Sequence, residues 1–265
     1  MAYKKIILEK YPDKGIAKLI LNRPDKLNCL DLEIATEIEQ AVKSVEKDRS
    51  IRVLIITGAG RAFSTGADLK AAMRVIESGG EDESVRAITQ IIRALDAIEN
   101  LRIPVIAMVN GFAFAGGLEL LLACEIAIAA EEALIGDQHA NYGLLPGAGG
   151  SQRLPRKIGV EKAKYLLYSG DWLTGKQAEE MGLVFKAVPL EQLEKFTEEF
   201  ALKIAEKNPE GIRVMKYLVN KGIDMDLKEG IKLETQEFFR YIKEERENLL
   251  EGLTAFKERR KPVFK

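Results

Sequence analysis

The 265-residue chain reads as an α/β fold, and three features of the sequence predict that class. Apolar runs suited to strands buried on both faces recur through its first two thirds, among them RVLIITG at 52–58 and IPVIAMVNG at 103–111. Stretches with an apolar residue every three or four positions separate them, the spacing of amphipathic helices. Glycine-bearing turns close the runs. Strand and helix therefore alternate, as in a largely parallel sheet covered by helices.

GIAKLILNRP at 15–24 is a strand that stops where Asn22 and Pro24 cannot extend a ladder. A helix over 31–47 follows, with Ile34, Ile38, Val42 and Val45 on one face. After the strand at 52–58, the acidic, glycine-bearing segment VIESGGEDESV at 75–85 reads as a mobile loop, and a helix over 84–100 comes next. The strand in 103–111 then leads to a helix at 117–123 and a strand at 125–130. TGKQAEEMG is a capped helix: Thr174 and Gln177 have capping-box spacing, and Gly182 stops it before a last strand, LVFKAV. From 191 onward the pattern is helical and charged. The expected organisation is a core over 1–200 and a helical region over 201–265, whose Phe238, Phe239, Leu249 and Leu250 pack on the core or on a neighbouring subunit.

Composition narrows the function classes. Forty basic against 41 acidic residues leave a net charge of -1 and a pI near 6.1, so no global field selects nucleic acid or an anionic membrane. Cys29 and Cys124 lie in apolar surroundings and read as two reduced thiols, with neither a disulfide framework nor a metal set. The amino end has too short an apolar run for a signal peptide, and no 18-residue apolar stretch occurs; the expectation is a cytoplasmic protein.

Chemistry is expected beyond the carboxyl ends of strands. Two glycine turns stand there, GRAFSTGADLK at 60–70 and NGFAFAGGLEL at 110–120. Gly66 and Gly116 permit close backbone approach, and Gly116 opens a helix whose dipole adds positive potential, so their turns suit an oxyanion. Ordinary strand-to-helix turns would look the same. Glu119 is more specific: a carboxylate among Leu118, Leu120, Leu121 and Leu122 is costly to desolvate without a partner or a task. Glu125, at a helix-to-strand junction, reads as a structural acceptor. The only histidine, His139, lies in GDQHANYGLLPGAGG at 136–150 and is either a hydrogen-bonded structural group or a catalyst.

LNRPDKLNCL, AFSTGADLK, PVIAMVNGFAFAGGLEL, YGLLPGAGGSQRLPRKIG and LTAFKERRKPVFK run through nearly the whole chain in an order that resembles the enoyl-CoA hydratase/isomerase family, the crotonase superfamily. The resemblance implies a spiral of ββα units with a C-terminal helical trimerisation region, assembled as a trimer or a dimer of trimers. It implies an oxyanion hole made by the N–H groups of Ala67 and Gly116. Lys26, Leu27, Ala67, Asp68, Leu69 and Lys70 fall where the family holds the nucleotide and pantetheine arm of coenzyme A, which enters as part of the thioester substrate; no separate cofactor and no metal are implied. Met73, Val75 and Ile76 are expected along the acyl pocket.

Glu119 matches the first catalytic carboxylate of hydratases. The second stands seven residues before the proline of the LPGAGG turn, which here is His139, a departure from the hydratase pattern. The leading expectation is an enoyl-CoA hydratase of fatty acid metabolism, with Glu119 activating water and His139 giving a proton to C2. A different acyl-CoA reaction, isomerisation or hydrolysis of a cyclic or branched ester with neutral His139 as base, is the alternative. A non-catalytic RNA-binding or scaffolding protein is the third; the balanced charge and the retained Glu119 stand against it, and only the basic tail KERRKPVFK speaks for it.

Overall fold

In the computed structural model, which describes residues 3–264 except for the side chains of Ile76 and Glu81, the chain opens as an antiparallel hairpin of β1 (Ile6–Tyr11) and β2 (Ile16–Leu21). Helix α1 (Leu32–Glu46) follows, started by Asp31, whose side chain accepts from the Ile34 N–H at 2.9 Å. Its Ile34, Ile38, Val42 and Val45 are buried, as their spacing requires. Each contributes about 1.5–3 kcal/mol of burial relative to exposure.

Three similar units come next. β3 (Val53–Gly58) leads to the short β4 (Ala62–Ser64) and then to α2 (Leu69–Glu77) and α3 (Glu81–Glu99). β5 (Val105–Val109) leads to β6 (Phe112–Phe114) and α4 (Gly116–Leu122), and β7 (Ile126–Ala130) to β8 (Leu134–Gly136), α5 (Gly150–Ile158) and α6 (Val160–Ser169). β9 (Trp172–Thr174), α7 (Gly175–Met181) and β10 (Lys186–Val188) complete the sheets; the capping box of Thr174 and Gln177 and the left-handed Gly182 bound α7 as expected. Four helices close the chain: α8 (Leu190–Ala205), α9 (Pro209–Gly222), α10 (Leu227–Glu244) and α11 (Arg246–Glu258).

The strands form two sheets, ordered β1-β2-β3-β5-β7-β10 and β4-β6-β8-β9. β2, β3, β5, β7 and β10 are parallel neighbours, and so are β4, β6 and β8; β9 adds antiparallel to the second sheet. Each unit thus advances one position in both sheets before its helix returns, which is the spiral the resemblance implied. The glycine turns consequently do not follow β3 and β5 directly. A three-residue strand intervenes each time, too short to show periodicity in sequence.

One expectation is overturned. Segment 75–85 is no loop: Ser78, Gly79 and Gly80 alone separate α2 from α3. Gly79, at φ +72, supplies the left-handed turn, and Asp82 and Glu83 lie in the first turn of α3, where the helix dipole favours negative charge.

α8 packs Leu193, Thr197, Ala201 and Ala205 into the interior, so residue 200 falls within a helix and not between elements. Beyond it burial is sparse. α10 buries no residue, and Phe238, Phe239 and Leu250 are more than half exposed. Among the described residues no helix is long and apolar enough to cross a membrane.

Candidate active site

The parallel strands β4, β6 and β8 end side by side, and the segment leaving each carries one part of the site. From β4 the chain reaches Gly66 and Ala67. Leu30 donates to the Gly66 carbonyl at 2.7 Å, Asp68 donates back to Leu30 at 3.0 Å, and Thr65 donates to Leu27 at 3.2 Å, so the loop is stitched to 27–30. Asn28, fully buried at φ +55, anchors that partner loop by donating to the carbonyls of Ala59 at 2.9 Å and Ala62 at 2.7 Å while accepting from the Arg23 N–H at 2.8 Å. The loop that carries Lys26 and Leu27 thereby lies along the one that carries Ala67 and Asp68 and continues into Leu69 and Lys70. Asp68 spends its carboxylate on Arg23 at 3.5 Å and on the Ala71 N–H at 3.1 Å, starting α2, and its carbonyl accepts from the Ala72 N–H at 2.9 Å. Leu69, Lys70 and Met73 are exposed and Val75 half-buried; the side chain of Ile76 lies outside the description.

From β6 the chain turns through Ala115, whose φ of +49 and ψ of -116 are unusual for a residue with a side chain. Two bonds hold the turn: its N–H donates to Gly136 at 3.1 Å, and its carbonyl accepts from Glu119 at 3.0 Å. The turn starts α4 at Gly116. A Cβ on Gly116 would stand 3.4 Å from the Ala67 nitrogen, and one on Gly66, at φ +83, would stand 2.6 Å from the Gly116 nitrogen. The two backbone segments therefore touch, with their N–H groups adjacent. Neither N–H has a protein acceptor among the described residues. Such a pair at a helix start is a fixed positive concavity for an oxyanion.

One turn further, Glu119 is 3% exposed. Its Oε1 accepts from the N–H groups of Ala148 and Gly150, each at 2.8 Å, both aimed at it by the left-handed Gly149. Arg153 braces that turn, donating to the Ala148 carbonyl at 2.8 Å and pairing with Glu99 at 2.7 Å. Oε2 has no protein partner among the described residues. Burial pushes the Glu119 carboxyl above its ordinary range, against the pull of the two N–H groups and of His139.

From β8 come Asp137 and His139. The ring Nδ1 of His139 lies 3.0 Å and 3.1 Å from the two Asp137 oxygens, and the His139 N–H donates to Oδ1 at 3.1 Å. Nε2 makes no protein hydrogen bond among the described residues. Burial opposes the charged ring, but the Asp137 hydrogen bond and charge, with Glu119 adding to them, lift the imidazole above its ordinary value.

The structure thus gathers Ala67, Gly116, Glu119 and His139 at three adjacent strand ends. Sequence reasoning missed Asp137, although an acid two residues before the sole histidine was its signal. It also missed the Ala148 and Gly150 donors, whose trace is the glycine-rich LPGAGG turn. Glu125 is the structural acceptor expected of it, taking the Val105 N–H at 2.6 Å and Lys216 at 2.7 Å. Cys29 and Cys124 are free and buried.

Known proteins share this sequence and this fold. The sequence model of the enoyl-CoA hydratase/isomerase family matches residues 12–265. A crotonyl-CoA hydratase of Syntrophomonas wolfei is 38% identical over 266 residues, covering 100% of this chain and 99% of that protein. A mitochondrial enoyl-CoA hydratase of Pongo abelii is 36% identical over 265 residues, covering 99% and 88%. The crystal structure of an enoyl-CoA hydratase from Bacillus anthracis superimposes with a TM-score of 0.94 at 39% identity, covering 99% of both chains. With connectivity and sequence matching over nearly its whole length, the chain belongs to the enoyl-CoA hydratase/isomerase family of enzymes.

Proposed function

We propose that this enzyme adds water across the 2,3 double bond of an enoyl-CoA thioester. The observation that carries this reading is the pair of adjacent N–H groups of Ala67 and Gly116, without an acceptor among the described residues, one helical turn from the Glu119 carboxylate. Oε2 of Glu119 takes a proton from water as the oxygen bonds to C3. The π pair of the double bond moves toward the thioester, and the charge that develops on its oxygen is met by the two N–H groups. The pair then returns to C2, which takes the proton of His139 Nε2. Glu119 is left protonated and His139 neutral; transfer of that proton back resets the site. A carboxylate beside an imidazole favours the charged ring, so the donor is loaded before each turnover.

In the same reading, Lys26, Leu27, Ala67, Asp68, Leu69 and Lys70 line the place of the coenzyme A arm of the substrate, and no further cofactor takes part. The exposed Phe238, Phe239 and Leu250 support assembly through the C-terminal helices, as a trimer or a dimer of trimers. The two free thiols fit a reducing, cytoplasmic compartment.

The test is incubation with short, long, branched and cyclic enoyl-CoA esters and identification of the products by mass. A gain of one water supports hydration. An unchanged mass with a moved double bond, or release of free coenzyme A, contradicts it.

A further inference from the structure

We propose that Asp137 is a positioning residue of the proton-transfer step: its buried carboxylate grips Nδ1 of His139, fixes the ring, and reserves Nε2 as the atom that exchanges a proton with substrate. The proposal rests on the reading of His139 as proton donor and adds to it the group that makes the donor work.

The geometry carries the argument. Asp137 is 0% exposed, and among the described residues its carboxylate has only the ring and the main-chain N–H of His139 as hydrogen-bond partners. A buried carboxylate with no cation beside it is strongly disfavoured. No lysine or arginine makes an ion pair with it among the described residues; His139 is the group whose charge can compensate it. Both Asp137 oxygens lie within 3.1 Å of Nδ1, so the proton on that nitrogen stays there. In the cationic ring Nε2 then carries the other proton, and in the neutral ring it is the acceptor. A single atom thus serves hydration as acid and dehydration as base. On donation to C2 the N–H pair stays on Nε2, the C–H bond forms from the enolate pair, and Asp137 neither gains nor loses a proton.

The charged groups that act on the ring are Asp137 from its own loop and Glu119 from α4. Both favour the cation, but Glu119 also takes part in the chemistry. Asp137 hydrogen-bonds the donor and reaches the base only through its charge, which lifts the Glu119 carboxyl, so its removal acts first on the donor. His139 opens a short 3-10 turn, His139–Tyr142, and among the described residues Asp137 is the side chain that hydrogen-bonds its ring.

Because His139 is the sole histidine, its titration is readable by NMR in the untagged chain without assignment. In the parent protein the midpoint is expected above the ordinary value of about 6.5, with Nδ1 protonated throughout. Asp137→Asn keeps an oxygen for Nδ1–H but removes the charge. In a variant whose fold is intact by circular dichroism, the midpoint is expected to fall by about one pH unit or more. The alkaline limb of kcat/KM should move down with it, kcat at pH 8 should drop about tenfold, and KM should change little. A parent midpoint at or below 6.5, or an unmoved midpoint in the folded variant, overturns the pairing; the first needs no variant at all. A midpoint that moves while the alkaline limb stays overturns the role of Asp137 in the step. Full hydration by His139→Ala would sink the donor reading itself, and the NMR titration separates that failure from a failure of the pairing.

Discussion

Glu119 is held by main chain and His139 by a side chain. The two N–H groups on Glu119 Oε1 are neutral dipoles; they fix the carboxylate at 2.8 Å without supplying a full counter-charge, and burial still lifts its pKa. A carboxylate treated this way remains a usable base. Asp137 sets its carboxylate 3.0 Å from the His139 ring, which favours the protonated imidazole, the form the proposed acid requires. Neutral donors suit the group that must accept a proton, and a charged partner suits the group that must give one. The two holders also differ in robustness: of single substitutions at 148 and 150 only proline deletes an N–H donor, whereas any change at 137 removes or alters the carboxylate.

The largest effect is expected at the base. Glu119→Gln should keep the site's shape and lower kcat by roughly 100-fold to 10,000-fold. A merely structural carboxylate would instead show an altered Tm with activity per folded molecule preserved. Next comes the oxyanion pair. Gly116→Pro removes one donor and should cost on the order of 100-fold to 1,000-fold in kcat with less effect on coenzyme A binding, provided circular dichroism shows the fold intact. A folded variant with near-parent turnover would remove the hole from the account.

At the acid, His139→Ala should lose about 100-fold while keeping affinity for the ester, and His139→Glu should recover part of the loss by restoring a two-carboxylate site. Turnover by the alanine variant at the parent rate would make the histidine structural.

The pH profile distinguishes the two holders more gently. Glu119 must be ionised and His139 protonated, so kcat/KM for hydration should be bell-shaped. Its acid limb should lie above the usual glutamate range and its alkaline limb above the usual histidine value, since both groups are raised. Stability carries a smaller trace of the same pair. A raised imidazole pKa means that its contribution is complete below about 6.5 and fades as pH rises through the folded value. Parent and Asp137→Asn should therefore differ by on the order of a few degrees in Tm at pH 6 and converge at high pH. A difference that grows with pH would reverse the assignment.

Much of this was legible in sequence, for identifiable reasons. β3 and β5 are buried throughout and stand out as apolar runs; α1 shows its buried stripe directly. Glu119 was visible because charge among leucines is costly. β4, β6 and β8 were not visible, because three residues carry no pattern, and they are the strands that aim the site. The acidic 75–85 segment misled, since charge suggests solvated loop as readily as the first turn of a helix. Asp137 escaped because an acid beside Gln138 in a polar loop looks ordinary until it proves buried, with His139 as its ion-pair partner among the described residues.

In the proposed reaction one site places oxygen at C3 and a proton at C2. Its most direct test is turnover of a short-chain enoyl-CoA in deuterated, oxygen-18 water, with the product sequenced by fragmentation mass spectrometry. Hydration at this site should leave one oxygen-18 at C3 and one deuterium at C2 in an intact thioester, both labels slowed together by Glu119→Gln. Deuterium without oxygen, or oxygen-18 in a released carboxylate with free coenzyme A, would contradict it.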